Sequence, residues 1–285
     1  MDQLLCCNYY LLIITDKRLK SNVFALLCNR IAWVVFFGFF LPRLCNAQQG
    51  TTYKPVASIT FSNAAVKDKG MSALTYTGWY PGVMVGVDIS SQELKQSITL
   101  GFASGNLKND PNGATLAAKF FAANYLALFP LNQHKVQLSL GGVFNNSLAT
   151  RKHSSYINNK SYYEFSSSLG VAARVSYFFN GPADGEETSS LSIGISSPLV
   201  SALSRSNSVY NSKSDFLSPG FKTYLKNTHI VTFGRYARVN LHTQLDNRAG
   251  ALKGLSVGYG WEYYHITEVN QVQSAVNTIT LSYHF

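Results

Sequence analysis

Alternation of period two runs through most of this chain. Its last nine residues read N-T-I-T-L-S-Y-H-F, with Ile279, Leu281, Tyr283 and Phe285 on one face of an extended strand and Thr278, Thr280, Ser282 and His284 on the other. The pattern predicts nine further strands upstream. Residues 56–66 set Ala57, Ile59 and Phe61 against Ser58, Thr60 and Ser62, and residues 74–89 set Trp79, Val83, Val85 and Val87 against Tyr76, Tyr80 and Asp88. Residues 97–107 and 135–148 follow the same rule, and 162–179 is clearest, with Tyr163, Phe165, Leu169, Val171 and Val175 opposite Glu164, Ser166, Ser168 and Arg174. Residues 189–203, 228–245, 255–267 and 274–285 complete the series. The fourth segment, 116–128, is the weakest, because its apolar residues keep no single face and read equally as a short helix.

One wholly apolar face on each strand needs either a second sheet or lipid to cover it. Low charge favours lipid: 46% of residues are hydrophobic and only 13% charged, where soluble domains carry about 25%. The chain also holds 17 Tyr, 18 Phe and 21 Gly, with aromatics gathered near strand ends, as in Tyr162 and Tyr163 or Tyr263 and Tyr264. Hydropathy is neutral overall, which excludes a bundle of membrane-spanning helices. The expectation is therefore an all-β fold, a transmembrane antiparallel up-and-down β-barrel of about ten strands filling residues 56–285 as a single domain. Eight or twelve strands follow if the fourth or eighth region is misread. The connections favour an even count: with both ends of the barrel chain on one side, the stretches 149–161 and 204–227 fall together at the opposite, external end, where such barrels carry their longer loops.

Residues 1–47 read as a leader. The apolar run of residues 31–41 is too short to span a bilayer as a helix, follows Lys17, Arg18, Lys20 and Arg30, and precedes Cys45-Asn46-Ala47, the pattern of a secretory signal cleaved after Ala47. The second apolar segment at residues 4–14 makes this leader long and suggests a translation start near Val23. Residues 48–55 form a short polar lead. All four cysteines precede the cut, so no disulfide, thiolate metal site or cysteine nucleophile is expected in the exported chain. Removing the leader lowers the net charge from +10 to about +7 without leaving a concentrated basic stripe, which argues against nucleic-acid binding.

Thr77 to Val83 reads T-G-W-Y-P-G-V, Ser161 to Phe165 reads S-Y-Y-E-F, and Ser167 to Gly170 reads S-S-L-G. With the terminal Phe285 on strict alternation, these stretches resemble the small outer-membrane β-barrel proteins common in Bacteroidetes. The resemblance covers about residues 50–285 through loose patterns of aromatics and glycine. It implies a bacterial outer-membrane location after export through a cleaved signal peptide. It also implies insertion by the barrel-assembly machinery, which reads the strand carrying Ile279, Leu281, Tyr283 and Phe285, and contact with outer-membrane lipid. It transfers no catalytic residue.

The candidate chemistry lies on the inward parity: Asp88, Lys119, Glu164, Arg174, Arg238 and Glu262, with Asn145, Asn240 and His242. Ten strands leave a narrow interior, so these charges are expected to pair into a polar plug, the alternative being a narrow solute or ion path. Arg238 lies diagonally from Glu262 if the intervening turn centres near Ala249. Of the six histidines, His229 with Glu268 and a loop serine is the one set worth testing as a rim hydrolase, of the lipid A deacylase or protease kind. No metal or cofactor site has support, since no two histidines stand at ligand spacing on one strand. Arg151, Lys152, His153, Lys160, Arg205, Lys213, Lys222 and Lys226 are expected in external loops against a single Asp215, facing lipopolysaccharide phosphates or solvent. Arg235 falls on the lipid-facing parity and calls for a bulge at Gly234 or an interfacial position. The functional expectation is a non-enzymatic envelope protein, with a structural, interaction or narrow-channel role. A barrel hydrolase is the competing class, and a soluble secreted β-sandwich the third.

Overall fold

The computed structural model describes residues 51–285 except 112, 133–134, 154–160, 180–188, 206–227, 248–251 and 268–269. The leader expected at residues 1–47 lies outside the described residues. Period-two alternation becomes strand at every predicted position: β1 Thr52–Asp68, β2 Thr75–Ser90, β3 Lys95–Lys108, β4 Thr115–Pro130, β5 Val136–His153 and β6 Ser161–Phe178. The series continues with β7 Ser190–Arg205, β8 Thr228–Thr232, β9 Tyr236–Asp246, β10 Leu255–Ile266 and β11 Val272–His284. Each strand pairs antiparallel with its neighbours, and β11 returns to β1 from Val56 opposite His284 to Asp68 opposite Val272. The single sheet thereby closes, which rules out the β-sandwich alternative.

Eleven segments occupy ten positions. β8 pairs with the end of β7 and β9 with its start, so the two share one place in the ring, interrupted at Phe233–Arg235. The interruption falls at Gly234, and Arg235 stands exposed, its carbonyl accepting from the Thr267 amide at 3.0 Å. Pairing followed once round the ring from Ser192 through Gln244, Thr280, Gly82 and Ala149 returns to β7 at Arg205. Discounting one bulged residue, that is a stagger of roughly a dozen residues, which for ten strands requires a tilt of about 40°.

Three boundaries differ from the sequence reading. β1 starts at Thr52, so residues 52–55 of the expected polar lead are strand, paired with the end of β2. β5 runs to His153, and the expected loop at 149–161 is strand at both ends. The fourth segment is strand rather than helix, and its alternation fails for a physical reason: Leu116, Ala118 and Phe120 point inward into an apolar cluster with Ala64, Val66, Tyr76, Tyr80 and Leu107, so apolar residues occupy both faces.

The outer surface is apolar on every position of the ring. Ile59, Val83, Leu100, Phe121, Leu140, Val171, Ile193, Leu241, Val257 and Ile279 all stand exposed there. Tyr53, Phe129, Tyr177, Tyr283 and Phe285 line its rim at the end carrying the short turns, and Trp79, Phe121 and Phe233 lie toward the other. A belt of this extent does not belong in water; with serines, asparagines and charges turned inward, it is the pattern of a barrel seated in lipid.

Candidate functional site in the barrel lumen

The end of the barrel opposite the chain ends, here the loop end, is filled. Asp68 closes β1, Arg151 lies near the end of β5, Glu164 near the start of β6 and Arg205 at the end of β7, and all four point inward. Arg205 Nη2 donates to both Asp68 oxygens at 3.1 Å, and Arg151 Nη1 reaches Asp68 Oδ2 at 3.4 Å and Glu164 Oε2 at 3.3 Å. Arg205 Nε stands 3.4 Å from Glu164 Oε2, close enough for attraction but not aligned as a hydrogen bond. Arg151 Nη2 also donates to the Tyr264 hydroxyl at 2.8 Å, and the Arg205 guanidinium lies over the Tyr162 ring, 5.3 Å from its centre. Two cations and two anions thus share one dry site, each charge facing two partners. Apolar side chains seal it on both sides: the Tyr76, Leu107 and Leu116 cluster on one, and Leu203, Val231, Tyr236, Ile266 and Val272 on the other.

The middle of the lumen is less crowded. Arg238 Nη2 donates to Glu262 Oε2 at 2.6 Å, with Asn240 directly opposite Glu262 and Arg238 one diagonal step away. These two, with Arg174, His242, Asn124 and Asn145, line a cavity of about 230 Å³. Toward the short turns, His284 Nδ1 stands 3.5 Å from Asp88, and Asp246 accepts from Ser256 at 2.6 Å and Gln244 at 2.7 Å. The charged side chains of the loop-end network are less exposed than those below them, among which His284 at 15% and Asp246 at 16% are about as open as Arg238. Arg151 and Arg205 are 0% exposed and Asp68 4%; Arg238 is 15% and Glu262 28%; Asp88 reaches 36%. Side chains of the lower lumen are thus partly reached by solvent, and those of the four-charge network are not.

Asp88, Glu164, Arg174, Arg238, His242 and Glu262 all project into this lumen, but at three separate levels rather than as one network. Lys119 does not join them. It lies on the outer face of β4, exposed, between inward Ala118 and Phe120, because at this level the inward residues are the apolar ones. Arg151, His153 and Arg205, expected in external loops, are buried inside, His153 Nε2 sharing a 2.7 Å hydrogen bond with the Tyr76 hydroxyl. Arg205 is inward because of a bulge: Gly170 faces Pro198 but Leu169 faces Val200, so Leu199 is the extra residue and every position after it changes face. Pro198, unable to donate to the ladder, is the signal in the sequence that marks this spot. Asp68 and Arg151 carried no such signal, since Lys67-Asp68 and Arg151-Lys152-His153 are consecutive polar residues with no alternation to mark them as strand. Among the hydrolase candidates, His229 is exposed on β8 and Glu268 lies outside the described residues. Ile279, Leu281, Tyr283 and Phe285 share the outer face of the closing strand.

No family model matches the sequence, and no curated protein matches it. Among solved structures, the chain is similar to the translocator domain of the autotransporter NalP from Neisseria meningitidis, with 10% identity and a TM-score of 0.41 over 90% of this chain and 98% of that one. It is similar also to Ail, the attachment invasion locus protein of Yersinia pestis, with 11% identity and a TM-score of 0.35 over 82% of this chain and 99% of that one. For Neisserial surface protein A the values are 11% and 0.33, over 83% and 100%. At these scores the likeness decides nothing about function, and the barrel assignment rests on the strand pairing itself.

Proposed function

We propose that this chain is an integral protein of a bacterial outer membrane, with a structural or interaction role rather than a conducting or catalytic one. The apolar belt around a closed antiparallel sheet supports the membrane reading, since a barrel satisfies every backbone group internally and can lie in hydrocarbon. The observation that carries the role is the four-charge network of Asp68, Glu164, Arg151 and Arg205, sealed between two apolar clusters across the loop end. A lumen stopped in this way leaves no aqueous path for a solute. Export through a cleaved signal and insertion by the barrel-assembly machinery belong to the same reading. Purified protein in planar lipid bilayers is expected to give no steady conductance; stepwise steady openings from the wild type would refute the closed lumen. Faster migration of unboiled protein from the outer-membrane fraction on gels tests the location.

The partner proposed for the outer face is lipopolysaccharide. Lys119 and Lys152 are exposed there, above the apolar belt at Phe121, and stand diagonally because Lys152 is opposite Ala117 and Lys119 opposite Thr150. Two like charges so placed favour a phosphate between them. Adding lipopolysaccharide to vesicles should raise the unfolding midpoint of the wild type more than that of a Lys119→Glu, Lys152→Glu double variant. Equal effects on both would remove the partner.

A further inference from the structure

We infer that the lower lumen is a binding pocket for a small oxyanion, entered from the short-turn end and centred on Arg174. The cavity of about 230 Å³ has room for a phosphate or a short carboxylate. Its titratable lining consists of Arg174, Arg238, His242 and Glu262. Glu262 is already engaged by Arg238 at 2.6 Å, so the carboxylate is used and one cation is left over. That cation is Arg174. Among the described residues no carboxylate lies within ion-pair distance of it, and its buried Nε has no acceptor. The carboxylates whose field reaches it, Asp88 on β2 and Asp246 two strands away on β9, are held by His284 and by Ser256 and Gln244 respectively.

The same wall supplies a second polar group, since Gly194 stands directly opposite Arg174 on one side and His242 on the other. His242 pairs directly with Gly194, and its ring occupies the space where a side chain on residue 194 would be: a Cβ built there collides with Cε1 and Nε2 of the imidazole. Glycine at 194 therefore makes a slot that seats the ring, and His242 Nε2 is buried without a partner. Asn124, Asn145, Asn240, Ser97 and Thr99 add amide and hydroxyl groups around the same space. A guanidinium offers parallel N–H donors that match a carboxylate or phosphate oxygen pair, and a surplus of one positive charge suits a single anionic group. The pocket is independent of the outer-membrane reading, because binding is measured on purified, folded protein in detergent.

Isothermal titration with inorganic phosphate and, separately, with acetate tests the inference and distinguishes the two sources of the oxyanion. Saturable binding of at least one anion is expected. Arg174→Gln should weaken it about tenfold or more, as loss of a charge-assisted hydrogen bond implies. Gly194→Ala, which pushes the His242 ring from its slot, should weaken it too, while Lys108→Gln, exposed on β3 outside the lumen, leaves it unchanged. Absence of saturable heat with both anions up to tens of millimolar overturns the proposal, as does wild-type affinity in folded Arg174→Gln. Should that variant fail to fold, unchanged binding in Gly194→Ala overturns it instead.

Discussion

Replacing Glu164 by glutamine should destabilise the barrel by about 3–5 kcal/mol, the range for breaking a buried ion pair by removing one partner. The side chain keeps its size, so the perturbation is one negative charge removed from a site holding two guanidiniums. Glu164 Oε2 lies 3.3 Å from Arg151 Nη1 and 3.4 Å from Arg205 Nε. At an effective dielectric constant of about 20, each of these contacts is worth about 5 kcal/mol of gross attraction. Removing both would cost about 10 kcal/mol if nothing offset it, but the carboxylate also no longer has to be dehydrated, which returns several kcal/mol. Asp68, 3.1 Å from Arg205 and 3.4 Å from Arg151, is left to balance both cations alone. Urea unfolding of protein refolded in lipid vesicles, read by the gel shift between folded and unfolded bands, gives the difference in free energy from the midpoint and slope. Glu262→Gln is the internal comparison. Its pair with Arg238 is partly reached by water, and its loss should cost only about 1 kcal/mol. If Glu164→Gln falls within about 1 kcal/mol of wild type, or no lower than Glu262→Gln, the four charges do not hold the loop end together and the reasoning fails.

Three further outcomes are expected. Gly141→Val should destabilise by about 1–3 kcal/mol in the same unfolding assay, because a Cβ at 141 collides with the Ala127 carbonyl and the neighbouring backbone rather than with a movable side chain. Ile279→Arg, on the outer face of β11, should lower stability in vesicles by about 2–4 kcal/mol if the position lies near the middle of the bilayer, whereas Thr280→Ser on the inner face should be close to neutral. Deleting Leu199 removes the β7 bulge and returns Arg205 to the outer face, so the variant should lose its heat-modifiable folded band.

Much of this barrel is written in local alternation. Ile279, Leu281, Tyr283 and Phe285 face outward because side chains on a strand change sides at every step, and that rule needs no knowledge of neighbouring strands. The Arg238–Glu262 pair was legible for a related reason: one hairpin sets its register, so two residues 24 apart in the chain meet by turn geometry alone. The even ring was legible from the strands themselves, although the loop at 149–161 offered in its support is strand at 149–153 and at 161.

The contents of the lumen were decided by the closed ring. Lys119 was assigned inward by the habit of placing charge in a polar interior, but the interior at that level is an apolar seal around Tyr76, Leu107 and Leu116. Arg151 and Asp68 look like the first charges of two loops, and they stay in strands because each finds its counter-charge on a distant strand, 83 residues away in the chain. Arg205 depends on a single bulged residue to change its side. Alternation is a property of one strand and can be read along it, whereas a buried charge is stable only where partners from other strands arrive at the same height. That height is set by the tilt and stagger of the whole closed sheet.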